Sequence, residues 1–141
     1  MTKNFKLEEF LYSHTAAVSK IDNSPPREVL ERLKLTAEKL EGIREALGKP
    51  LKITSGYRSP ELNRFIGGTK RSQHVKGEAV DFISPAFGTP KQILEALAPR
   101  VRELGIDQII CEGSWVHVSF SDTPRYQVMS YVKGKFVNGV A

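Results

Sequence analysis

The chain has 141 residues, 40% of them hydrophobic and 26% charged, which suits one domain large enough to bury a core. No run of about 18 apolar residues occurs, so no membrane-spanning helix is expected, and the single cysteine, Cys111, excludes an internal disulfide and any cysteine-based zinc cluster. The net charge of +5 admits an anionic partner, but the basic residues are spread out and only Lys70, Arg71 and Lys76 cluster.

The N-terminal stretch MTKNFKLEEFLYSHTAA carries Glu8 and Glu9 and lacks a continuous apolar segment, so a signal peptide is not expected. Phe10, Leu11, His14, Ala17 and Val18 recur at helical spacing and predict one short helical segment over residues 5–20. DNSPP breaks it, with Ser24 as the natural N-cap of a second helix and Pro25 and Pro26 in its first turn. That helix is expected over 26–47, where Leu30, Leu33, Ala37, Leu40, Ile43 and Leu47 form one stripe before Gly48 and Pro50 stop it. A strand follows over 51–54, then a helical turn and a glycine loop at Gly67 and Gly68. EAVDFIS reads as a strand, and PKQILEALAPRVRELG as an amphipathic helix ended by Gly105. IDQIIC, EGS and WVHVSF read as a hairpin, and YQVMSYVKGKFVNG as a last strand or hairpin turning at Gly134. This order predicts a single α+β domain over 1–141 with a mainly antiparallel sheet, helices on one face and the N-terminal segment 1–25 packed on it.

SQHVKGEAVDF sets Asp81 inside an apolar run, seven residues after His74. Strand alternation puts Val80 and Phe82 on one face and Asp81 on the other. In WVHVSF the same rule puts Val116, Val118 and Phe120 on one face and Trp115, His117 and Ser119 on the other. If the strands are neighbours, Asp81 and His117 sit side by side, and His74 can bend over to meet them. Zinc accepts such a set, at about 2.0–2.1 Å from imidazole nitrogen and about 2.0–2.2 Å from carboxylate oxygen. Three protein ligands leave a fourth position open, where the metal lowers the pKa of water towards roughly 7 and polarises a carbonyl. The same residues also fit a loop histidine, a strand-end aspartate and a hairpin histidine, and spacing alone does not choose between the two readings.

SGYRS, LN, GG, SQHVKGEAVDF and WVHVSF together resemble the M15 family of zinc peptidases, which cut peptide bonds in bacterial cell wall. FKLEEFLYSHTAA followed by DNSPP is similar to the opening of its small single-domain phage and prophage branch, so the resemblance covers nearly the whole chain. It implies the fold of the D-Ala-D-Ala peptidases, with one zinc ion held by His74, Asp81 and His117 on the sheet face opposite the helices. It makes Arg58 a substrate-binding or oxyanion-stabilising residue, which suits a permanently charged, bidentate guanidinium. Ser72 and Gln73, beside the first ligand, either orient it, line the cleft or cap the loop. Trp115 either flanks the cleft or packs structurally, and His14 is read as a packing or surface residue.

One position departs from the family pattern. Many members carry the catalytic acid three residues before the second histidine, where this chain has Ser114. Glu112 is the expected base instead, brought back over the site by the hairpin turn, with Asp107 and Glu78 as weaker substitutes. The expected activity is zinc-dependent hydrolysis of the peptidoglycan stem peptide, as an endopeptidase or carboxypeptidase. The protein is expected to be a monomer that acts on the wall after release from an infected or lysogenic bacterium, or as part of a virion. The alternative is a non-catalytic, zinc-containing wall-binding or phage structural module, motivated by Ser114. A nucleic-acid-binding role lacks a motif, since the aromatic residues are not interleaved with Lys and Arg.

Overall fold

The computed structural model describes residues 1–141. It is an α+β structure with a mixed six-stranded sheet. The elements run α1 (Leu7–Leu11), α2 (His14–Ser19), α3 (Arg27–Leu47), β1 (Lys52–Ser55), α4 (Pro60–Phe65), β2 (Ala79–Ile83), α5 (Pro90–Leu97) with a 3-10 turn at Ala98–Arg100, β3 (Gln108–Cys111), β4 (Val116–Ser119), β5 (Gln127–Val132) and β6 (Lys135–Asn138). The strand order is β1-β2-β4-β3-β5-β6.

The N-terminal region is two short helices rather than one. The Ser13 side chain accepts from Ala16 N and starts α2 afresh, so the predicted stripe is broken. Phe10 and Ala16 are buried, while Val18 is exposed. Helix α3 matches its predicted span, but its N-cap is Pro26 and not Ser24. Leu33, Ala37, Leu40, Ile43 and Leu47 are buried along it, and Gly48 closes it in the left-handed conformation. Helix α5 is shorter than its pattern predicts. Pro99 has no N–H to donate, so the α-helix gives way at Leu97 to a 3-10 turn, although Val101 still packs into the core.

Four strand pairings are antiparallel, and β3–β5 is parallel. The parallel pair follows from the route of the chain. After the β3–β4 hairpin, residues 120–126 cross back to the start of β3, where Gln127 N donates to Asp107 O at 2.9 Å. The last two strands form a tight hairpin through Lys133 and Gly134, both at positive φ, as a two-residue turn of this kind requires.

One buried cluster joins Phe5 and Phe10 to Leu33, Leu40, Ile43, Ile93, Leu94 and Leu97, and to Val80, Phe82, Ile109, Val116 and Val118 of the strands. Asp81 and His117 fall out of phase with those apolar residues. Asp81 is the direct cross-strand partner of His117, which in turn faces Ile110. The loop between α4 and β2 is pinned against α3. Thr36 Oγ1 donates to Gly77 O at 2.7 Å, and Gly77 takes φ +75° against Val29 and Leu33.

Candidate metal centre

Three elements deliver three candidate ligands. Asp81 comes from the middle of β2, His117 from β4 beside it, and His74 from the loop that leads into β2. One possible ligand atom from each lies within 4.8 Å of the others. His117 Nδ1 is 3.0 Å from Asp81 Oδ1, and His74 Nε2 is 3.4 Å from the same oxygen. Ligands at about 2.0–2.1 Å from a tetrahedral ion stand about 3.3 Å apart, so these separations suit zinc.

The tautomer of His74 sharpens this fit. Its Nδ1 lies 2.7 Å from the Gly56 carbonyl, which can only accept, so Nδ1 carries the proton. Nε2 then presents a lone pair towards a carboxylate oxygen. Two acceptors at 3.4 Å repel each other unless a proton or a cation sits between them. Burial disfavours the proton, holding the imidazole below its ordinary pKa against the pull of Asp81. A divalent cation satisfies both groups, and the Gly56 carbonyl fixes the ring as an outer partner should. Burial alone pushes Asp81 up, but the two imidazoles more than reverse it, so the carboxylate is held below its usual range and ionised.

These three side chains lie in a cleft of about 960 Å³ that also takes in Arg58, Ser72, Gln73, Glu112 and Trp115. Glu112 begins the β3–β4 turn, its N–H donating to Trp115 O at 2.9 Å. Burial pushes its carboxyl above the usual range, with His117 pulling down and Asp81 pushing up. Ser114 is exposed at the turn and is not among the cleft residues. Arg58 is half-buried, and its N–H donates to His74 O at 3.2 Å. Its Nε is buried without a partner. Burial lowers the guanidinium pKa, and the charge of Asp81 opposes that. Ser72 Oγ accepts from His74 N at 3.3 Å.

Asp107 and Glu78 are engaged elsewhere. Asp107 is buried and accepts from Arg125 N, Nε and Nη2 at 2.8, 3.0 and 2.8 Å, from Gln73 Nε2 at 2.9 Å and from Ser119 Oγ at 3.2 Å. Gln73 also donates to Glu78 at 3.3 Å and accepts from Arg125 Nη2 at 3.3 Å, so its whole amide is committed to protein partners. This network ties the residue next to His74 to β3, β4 and the segment entering β5. Sequence reasoning did not find it, although Asp107 stands at the head of an apolar strand as Asp81 stands inside one. His14 lies in a separate, smaller cleft with Tyr12 and Tyr57, away from the three ligands.

Two imidazoles and a carboxylate beside a half-buried glutamate and a cleft arginine form the donor set of a metal-dependent hydrolase. The family model of Peptidase M15 matches residues 3–119, and the chain belongs to that family. No curated protein matches the chain. No helix is long and apolar enough to cross a membrane.

Proposed function

We propose that this peptidase is zinc-dependent and cuts the stem peptide of bacterial peptidoglycan. The observation that carries the reading is the convergence of His74, Asp81 and His117 in one cleft with Glu112 and Arg58. His74, Asp81 and His117 would hold the ion, on the sheet face away from α3 and α5. When bound, zinc supplies a Lewis acid for the scissile carbonyl and an acidified water. Glu112 takes a proton from the attacking water on its carboxylate and delivers it to the amine as the C–N bond breaks. Arg58 meets the negative charge of the substrate carboxylate or of the developing oxyanion. Ser72 and Gln73 hold the His74 loop, and Trp115 flanks the bound peptide.

The chain acts as a single domain and a monomer, in a phage or prophage setting. It is made in the bacterial cytoplasm and reaches the wall after release or within a virion. The Peptidase M15 match supports the peptide substrate, and the basic surface suits an anionic wall.

The test is zymography on purified cell walls with the wild type and Glu112→Gln. Lysis by the wild type is expected to stop with a chelator and return with zinc. Glu112→Gln is expected to bind zinc normally and to lose at least about a hundredfold in rate, the usual worth of a general base. A fully active Glu112→Gln removes Glu112 from the mechanism. A wild type that binds zinc but never lyses walls favours the non-catalytic module, the reading that Ser114 motivates.

A further inference from the structure

The cleft has two chemically different sides. The segment from Arg58 to Lys76 brings Arg58, Arg71 and Lys76 to it, and none of these three forms an ion pair with a neighbouring acid. Its four apolar lining residues are Ile110, Trp115, Met129 and Phe136, contributed by β3, the turn before β4, β5 and β6. Two of these four, Met129 and Phe136, lie outside the segment matched by the family model. Strand register explains why they reach the site. Ile110 is the partner of both His117 and Met129, and directly opposed residues project to the same side of a sheet. Phe136 opposes Tyr131, two residues along β5 from Met129, and the two rings meet edge to face at 4.9 Å. Phe136 is 52% exposed, yet it faces the cleft rather than open solvent on every side. The segment that places the hairpin is fixed by the bidentate grip of Arg125 on Asp107.

We propose that the C-terminal hairpin is a specificity element. Met129 and Phe136 form an apolar subsite that takes a small aliphatic side chain of the peptide substrate, while Arg58, Arg71 and Lys76 face its carboxylate. The inference rests on the peptidase reading for the nature of its ligand, but not for its test. The observation favouring a substrate over a second copy of the chain is continuity with the site, since Ile110 stands opposite His117, Met129 opposite Ile110, and Phe136 diagonally beyond Met129 on the wall of the same cleft.

Trp115 is the chain's single tryptophan and lines the same cleft, so its fluorescence reports occupancy without requiring turnover. The zinc-loaded protein is mixed with tetra-alanine or tetraglycine by stopped flow, and binding is read ahead of hydrolysis. The two probes carry identical charges and differ only in methyl groups. The wild type is expected to prefer tetra-alanine by about fourfold or more, the worth of one buried methyl. Phe136→Ser is expected to bring the ratio close to one. Met129→Gln, nearly isosteric, is expected to reduce it too. Val137→Ser, one residue along on the opposite side of the hairpin, is expected to leave it unchanged. A wild-type ratio of one, or an unchanged ratio in both cleft variants, overturns the proposal. So does a sedimentation result showing a dimer that Phe136→Ser dissociates, because the hairpin would then be covered by a second copy. Hydrolysis lost with discrimination intact would sink the peptidase reading alone, and discrimination lost with hydrolysis intact is the pattern the subsite predicts.

Discussion

Glu112 and Asp107 show how two acids flanking one strand, β3, acquire different roles. Asp107 is saturated by Arg125, Gln73 and Ser119 and is held below the usual carboxylate range, because those bonds outweigh the burial that would raise it. Glu112 has no such ties, and burial leaves it raised. The sign of its pH effect follows. A raised acid takes up its proton at a higher pH than an ordinary glutamate, near 4.3, and a protonated Glu112 cannot act as base. In the metal-free protein the Glu112 carboxyl is therefore expected to titrate above the ordinary glutamate range by NMR, and the charge of added zinc to draw it down; kcat/KM should fall on the acid side as Glu112 takes up its proton. In Glu112→Gln the residual rate should lack that fall. A Glu112 that titrates at or below the ordinary range in the metal-free protein would show that burial does not govern its carboxyl.

At the scale of elements, the seat of α1 on the strand end carries a consequence for the metal site. Gly56 follows β1 and touches Phe10 so closely that an added Cβ would stand 2.7 Å from Phe10 Cα and overlap its carbonyl oxygen. The carbonyl of Gly56 is the acceptor that orients His74. Gly56→Ala is expected to destabilise the fold by about 1–3 kcal/mol through overpacking and to weaken zinc binding by about 10–100-fold through the displaced carbonyl. Urea denaturation and competition with a chromogenic chelator measure the two effects, and unchanged zinc affinity would dissociate Gly56 from the site. This contact joins residues far apart in sequence, and no local pattern announces it. Local patterns did reveal α3, β2 and β4, because each buries one regular stripe, and in the two strands Asp81 and His117 stand out of phase with it. They failed at Ser13, where a side-chain cap restarts the helix, and at Pro99, where a missing N–H outweighs the apolar period. The parallel β3–β5 pair was equally hidden, since strand direction is fixed by the path of 120–126 and not by the composition of β5.

Across the whole molecule, the three candidate ligands come from the α4–β2 loop, β2 and β4, with His117 36 positions after Asp81. The site exists only once the sheet has paired, so an unfolded chain offers the metal little. Zinc held there would stabilise the folded state by mass action, by about 2.7 kcal/mol when free zinc is 100 times its Kd. For a chain of this size that corresponds to a rise in Tm of roughly 5–10 °C. Differential scanning calorimetry with zinc buffered at several concentrations is expected to show Tm climbing with the logarithm of free zinc. The climb should shrink on acidification, because imidazole binds metal only when neutral. His117→Ala is expected to abolish the climb and also to lower the metal-free Tm, since the Asp81 carboxylate loses its 3.0 Å imidazole partner. A Tm indifferent to zinc in the wild type would mean that His74, Asp81 and His117 do not close on the ion, and their convergence would then have to be explained by the protons they share.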